Sequence, residues 1–403
     1  MRRLYPWLSL LMALVVGSGW IPMETALAHA EGAESEPTLL ERLRDEARQG
    51  FSSRIDLLGF AIAQLPVGSG ANPNNILHIP RLQAEVDVRP DLRLSFRQLV
   101  LSAKPRLEWR WRRWADGVRQ GDSEADAEVF VQEWLARYRL SDGLFASYGR
   151  ENLQWGPSAL VSPSNPFNRD NGQNNPRLEV PGLDYGRVVW LPGNAWTLSF
   201  IANIDRGRQE MLRDFRKTYA MKLDFTGENT YVSLIPSYRE DEKPRVGVLG
   251  GWTVSDGLLV YTEGRLSDAI DEAAFLVGGS YTLERGPTVV AELFRDGSGC
   301  ALKPIALCLV PGVGNADAAD ILLRRHYLLL QYMQRGIGHS LNLIFRWIRN
   351  LDDDSNRMIG ILEYEPGDRT QLFVIGSLDR GKKDAEFGSL IHYSLMAGVR
   401  WTL

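Results

Sequence analysis

Long apolar runs, cysteine, lysine and net positive charge are all scarce in this chain, and each scarcity removes a class of protein. After the run Leu8 to Val16, no stretch of about 18 apolar residues occurs. A bundle of membrane-spanning helices is therefore excluded, which leaves a periplasmic, secreted or outer-membrane protein. Two cysteines, Cys300 and Cys308, sit in one Gly/Pro-rich stretch with no His, Asp or Glu cluster beside them. That pair suits a local disulfide in an oxidising compartment and not a metal site. The formal net charge of −4 removes nucleic acid as a partner. Lysine contributes 7 of the 46 basic residues, so arginine dominates. Arginine is favoured where a planar carboxylate or phosphate is gripped, and it is equally the mark of a GC-rich genome. No phosphate-cradling glycine loop, metalloprotease helix or redox CxxC is present, so neither an enzyme nor a cofactor is expected.

What is present begins at the amino end. Arg2 and Arg3 precede the short apolar run, and Ala26-Leu27-Ala28 follows as an A-x-A cleavage pattern. Residues 1–28 read as a signal peptide. Thr38 to Gly50 suits a short amphipathic helix with Leu39, Leu40, Leu43 and Ala47 as its stripe. Residues 29–78 are expected to form a periplasmic segment. Within it, IDLLGFAIAQLP is open to three readings: a plug, an appendage or an extra strand.

The carboxyl end carries the strongest pattern. From Leu390 the chain reads LIHYSLMAGVRWTL and stops. Ile391, Tyr393, Leu395, Ala397, Val399, Trp401 and Leu403 fall on one strand face, with His392, Ser394, Met396, Gly398, Arg400 and Thr402 on the other. Lipid outside and water inside demand this alternation in the closing strand of an outer-membrane barrel. The last residue departs from the usual terminal aromatic.

Segments of similar period recur over residues 79–403, and they predict an all-β, antiparallel transmembrane barrel of about 18 strands, within a range of 16–18. Every second link is a short turn former: EPGD, RGIG, ERG, SDG, TGEN, PGN, SDG and SAKP. The alternate links 115–127, 156–185, 205–216 and 297–321 are long, as extracellular loops are. Three strands are expected at 79–89, 92–102 and 104–114. This makes Arg89-Pro90-Asp91 a tight turn on the outer side, against the pattern. A strand at 322–334 sets one of Arg324 and Arg325 towards lipid unless it lies at the rim.

Placing tryptophan and leucine outward turns Arg106, Arg110, Arg112, Arg137, Arg139, Arg245, Arg265, Arg346, Arg357 and Arg400 towards the lumen, with Lys222. Glu108, Glu133, Asp224, Glu263, Glu292 and Glu363 share that face. A modest basic excess in a pore favours anions. The plainer reading is a lattice of ion pairs that braces the wall.

Tyr148-Gly149-Arg150 to Trp155-Gly156-Pro157, followed by Asn165-Pro166, resembles a pattern in porin-like outer-membrane proteins of Gram-negative bacteria. The layout is also similar to 18-stranded substrate-selective porins and to alginate-export-type barrels. That resemblance implies an outer-membrane address, contact with lipid, assembly by the barrel-assembly machinery through the C-terminal strand, and a 156–185 loop that folds inward. It also implies passage of carboxylates or anionic sugars. Passive diffusion of small hydrophilic solutes is the first expectation. Export of an anionic polysaccharide is the second, and a plugged structural or adhesive barrel the third. His392 and Ser394 share a strand face as a lipase-like pair would, but they point to the lumen and not to lipid. Asp352, Asp353 and Asp354 read as a solvated turn or a weak Ca²⁺ site. Oligomeric state is not legible.

Overall fold

The computed structural model describes residues 45–168, 175–208, 215–268, 272–310, 313 and 322–403. The expected signal peptide and most of the expected helix lie outside them. Residues 45–49 are helical, and the strands all fall within the compact unit Glu46–Leu403.

Among the described residues, eighteen antiparallel strands form one closed sheet. They are β1 (Phe51–Pro66), β2 (Leu82–Phe96), β3 (Leu99–Arg113), β4 (Ser123–Ser141), β5 (Leu144–Glu151) and β6 (Leu183–Gly193). Next come β7 (Trp196–Asp205), β8 (Thr218–Thr226), β9 (Thr230–Arg239), β10 (Arg245–Ser255), β11 (Leu258–Leu266) and β12 (Ala274–Thr282). The last are β13 (Thr288–Asp296), β14 (His326–Ile337), β15 (Leu341–Asn350), β16 (Asn356–Gly367), β17 (Thr370–Arg380) and β18 (Ile391–Thr402). Each strand pairs with its sequence neighbours, and β1 closes the ring on β18. Closure leaves no unpaired edge, which a membrane interior demands because lipid offers backbone groups no hydrogen bonds.

Alternation sorts the side chains. Trp109, Trp252 and Trp401 are about half exposed on the outer face, as are Leu395 and Val399 of β18. The opposite row is buried. Its character differs around the ring. On β11 to β18 and β1 a large part of it is apolar: Phe60, Leu276, Phe294, Leu329, Ile361 and Phe373 belong to one buried cluster, with Glu263, Glu292, Gln331 and Arg346 buried among them. On β2 to β5 it is charged, with Glu85, Asp87, Arg106, Arg110 and Arg150. The expected inward charges thus run around the ring, densest on β2 to β5, while the apolar cluster of β11 to β18 and β1 lies outside the expectation. In β17, Leu372 and Val374 face outward while Phe373 and Ile375 face inward, so this strand is apolar on both faces.

The predicted barrel boundary at 79 is corrected to Phe51. Residues 51–66 are a wall strand, β1, and not part of a periplasmic segment. Leu58 and Phe60 point into the buried cluster while Leu57 and Ala61 occupy the other row, so no polar row marks the strand. The three strands expected between 79 and 114 are two. Arg89-Pro90-Asp91 runs on within β2, paired to β1, and Lys104-Pro105 sits at a bulge in β3. Pro90 and Pro105 lack the N–H that a ladder uses, so each imitates a turn in the sequence. The real turn is at Arg97-Gln98. The gain of β1 and the merger cancel in the strand count.

Candidate functional site

The described parts of the link between β5 and β6, residues 152–168 and 175–182, pack against the inner wall on two sides of the lumen. The first limb is clamped by two wall carboxylates. Glu292 of β13 accepts from the backbone N–H of Ala159 (2.6 Å) and Leu160 (2.9 Å), from Ser158 Oγ (3.1 Å) and from Tyr261 Oη (2.6 Å). Glu263 of β11 accepts from Ser162 Oγ (2.8 Å) and Ser164 Oγ (3.0 Å). Leu160 is fully buried in the apolar cluster. Two glycines permit this approach. Gly156 has φ +91°, and a Cβ there would sit 2.1 Å from Glu263 Oε1; a Cβ on Gly247 would sit 2.4 Å from the Ser164 carbonyl. Beside the limb, Trp155 and Phe167 pack over smaller apolar clusters of β6 to β10.

The second limb, 175–182, is held by the charged arc. Arg106 of β3 donates through Nε and Nη2 to both oxygens of Glu179 (2.8 and 2.7 Å) and through Nη2 to Asp91 (3.0 Å). Its Nη1 donates to the carbonyls of Pro90 and Pro105. All five guanidinium N–H groups are thereby used. Arg89 Nη1 donates to the Arg177 carbonyl and Gln132 Nε2 to the Val180 carbonyl. Arg177 reaches across to Glu363 of β16 and lies over the Phe373 ring. Burial raises the Glu179 carboxyl, but the hydrogen bonds and charge of Arg106, aided by Arg89 and Lys104, outweigh it and hold the group below its ordinary value.

All ten arginines singled out from the sequence occupy the inward row. Most are already paired: Arg110 with Glu85 and Glu108, Arg112 with Asp126, Arg245 with Glu242, Arg265 with Asp296, Arg357 with Asp379. Arg346 is buried and donates to Gln331. Among the described residues, Arg137, Arg139 and Arg400 have no acidic partner. Arg187, which the sequence reading passed over, shares that condition on the same row. Its signal was available, since it alternates with the outward Val188 and Trp190. Arg324 and Arg325 precede β14, so neither faces lipid. Arg324 is buried on Asp353 and the Leu302 carbonyl.

Opposite the short turns, long links form a cap. Cys300 and Cys308 are joined in a disulfide. Ile305 N donates to the Asp384 carbonyl, and Ser69 Oγ to the Ser389 carbonyl. Glu386 is the keystone. It accepts from Tyr327 Oη (2.6 Å), Asn350 Nδ2 (2.6 Å) and Leu323 N (2.9 Å). Burial pushes its carboxyl up to about 7; bonds from Tyr327 and Leu323 and the charge of Arg357 offset this in part, and Asp353 adds to it. A raised folded-state value means that Glu386 stabilises the cap fully below about pH 4.5 and loses that contribution as pH rises through about 7. Amide-exchange protection at Glu386 and Phe387, corrected for intrinsic rates, is expected to fall between about pH 5 and pH 8. Constant protection across that span would show that the carboxyl does not hold the cap.

A closed eighteen-stranded antiparallel sheet with an outer apolar face, a charged inner arc and a link folded into the lumen has the architecture of a transmembrane β-barrel. Solved structures similar to it include three from Pseudomonas aeruginosa. OccK3 (OpdO) aligns with TM-score 0.58 and 12% identity over 91% of this chain and 99% of its own. OpdL aligns with TM-score 0.58 and 13% identity over 88% and 99%, and OprD with TM-score 0.54 and 10% identity over 89% and 97%. No family model and no curated protein matches the sequence.

Proposed function

We propose that this protein is a passive outer-membrane channel for small hydrophilic solutes, with a preference for anions. The observation that carries the reading is the set of inward arginines without acidic partners, Arg137, Arg139, Arg187 and Arg400. A fixed positive charge in a lumen raises the local concentration of anions and opposes cations. The solute path follows the charged β2 to β5 arc, because the opposite arc is filled with apolar side chains packed on Leu160. Exporting a polymer would require the doubly anchored 152–182 loop to leave its place, so polysaccharide export is the weaker reading. The apolar arc and the cap favour one rival, a plugged structural barrel.

Single-channel recording of refolded protein in a planar bilayer, with reversal potentials in a salt gradient, tests the proposal. Discrete steps with anion preference support it. Silence from protein shown to be folded by heat-modifiable gel mobility would overturn it in favour of the plugged barrel. In the Arg137→Ala/Arg139→Ala/Arg400→Ala variant the reversal potential is expected to move towards that of cation preference, with conductance nearly unchanged. An unmoved potential would assign these arginines no part in selection.

A further inference from the structure

On the charged arc, Asp87 of β2 stands directly opposite Glu108 of β3 in the register. Like charges facing each other across a ladder repel. Glu85, two residues before Asp87 on the same face, adds a third carboxylate, and one oxygen from each of the three lies within 4.8 Å of the others. Two guanidiniums serve this group. Arg89 bonds Asp87 Oδ2, and Arg110 bonds Glu85 and Glu108. Three negative charges thus meet two positive ones. The deficit has an address: Asp87 is 3% exposed, and its Oδ1 is buried with no hydrogen-bond partner among the described residues. A buried carboxylate oxygen left bare carries an uncompensated desolvation cost, and native structures seldom leave one so.

We infer that Glu85, Asp87 and Glu108 form a site for a hard divalent cation, of which Ca²⁺ is the type. The donor set is all oxygen and all carboxylate, which suits Ca²⁺ and not the softer transition metals. Asp87 Oδ1 supplies the free ligand atom. Glu108, the least buried of the three, opens the group towards the lumen. Binding relieves the repulsion between Asp87 and Glu108 and takes over the neutralising role of Arg110. Arg110 is already 30% exposed, so its guanidinium then turns to solvent. The site lies two residues along β3 from Arg106, on the side of the long links. An occupied site therefore adds positive charge beside the second limb of the loop. The inference stands apart from the proposed solute preference, because cation binding is read directly.

The test uses refolded full-length barrel in detergent and Tb³⁺ as probe. Trp109 and Trp111 flank Glu108 and Arg110 on β3 and serve as energy donors. Wild-type protein is expected to give Trp-sensitised Tb³⁺ emission that Ca²⁺ displaces. Asp87→Asn and Glu108→Gln are each expected to weaken the Ca²⁺-displaceable component about tenfold or more, while Asp368→Asn at a distant turn leaves it intact. If Asp87→Asn does not yield the folded, heat-modifiable form, Glu108→Gln decides alone. Equal titrations for wild type and the folded variants, or wild-type emission that Ca²⁺ does not displace, overturn the site.

Discussion

Glu292→Ala is expected to raise single-channel conductance about twofold or more by releasing the first limb of the 152–182 loop. One carboxylate on β13 satisfies four donors, two of them backbone N–H groups of the limb. Removing it takes from the Ala159 N–H and the Tyr261 hydroxyl the acceptor they have here, at about 1–3 kcal/mol each, and leaves the Leu160 N–H only its longer bond to Ser158 Oγ (3.3 Å). What remains to hold the limb is Glu263, through the Ser158 N–H, Ser162 and Ser164, and the burial of Leu160, which contributes about 1.5–3 kcal/mol. The orphaned donors outweigh Leu160, so the docked position becomes the poorer one. Glu292→Gln should fall between the two proteins. Its amide oxygen still accepts, but its NH₂ faces the donors that the second oxygen served. Leu160→Ala weakens the same docking through packing and leaves the carboxylates in place. If both Glu292→Ala and Leu160→Ala fold and conduct as wild type does, the limb is no part of the constriction.

The wall of this barrel was more legible in the sequence than its interior. Strand β18 declared itself because water and lipid impose opposite demands on alternate residues, and Tyr393, Leu395, Val399 and Trp401 answer one demand while Ser394 and Arg400 answer the other. The short turns were legible for a similar reason: seven of the eight predicted links fall at strand ends, where Gly, Asn and Asp suit reversed backbone. The failure at SAKP has a definite cause. Pro105 breaks a ladder hydrogen bond, and a bulge can absorb that loss without turning the chain.

Alternation fails wherever both faces are buried against apolar matter. β1 was left undecided between plug, appendage and strand because Leu58 and Phe60 face an apolar interior. β16 and β17 were found as strands, but Ile359, Ile361, Phe373 and Ile375 were not foreseen as a lumen core. A near-continuous apolar run marks a strand buried on both sides, and TQLFVIGSL in β17 is such a run. The arginine positions were readable from period alone, whereas their partners were not. Arg106 finds Glu179 from 73 positions away, and Glu292 finds Ser158 from 134 away. Such pairings are set by closure of the ring, which local sequence does not encode.

The second large effect falls on Arg106, the anchor of the other limb. Arg106→Ala is expected to free residues 175–182 and to give proteolytic cleavage after Arg177, absent in wild type. The side chain is 3% exposed, and all five of its N–H groups are used. Arg106→Lys is not a rescue, because an ammonium has three donors and cannot grip both Glu179 oxygens in the plane of a fork. Removing the guanidinium leaves Glu179 and Asp91 beside each other, but both retain some contact with lumen water, so the loss is about 2 kcal/mol and not that of a sealed pair. The same bond predicts a pH response. Glu179 is held below its ordinary value, so its contribution is present above about pH 4.5 and is lost as pH falls through the lower, folded-state value. Acid should therefore do to the wild-type limb what Arg106→Ala does at neutral pH, and Glu179→Gln should do so at every pH. This is opposite in sign to the cap, where Glu386 holds best in acid. A spin label at Leu178 separates the two responses: its mobility should rise on acidification in wild type and be high and flat in Arg106→Ala. A label that stays immobile in Arg106→Ala would show that Arg89, Gln132 and the Arg177–Glu363 pair suffice to hold the limb, and that Arg106 is not its anchor.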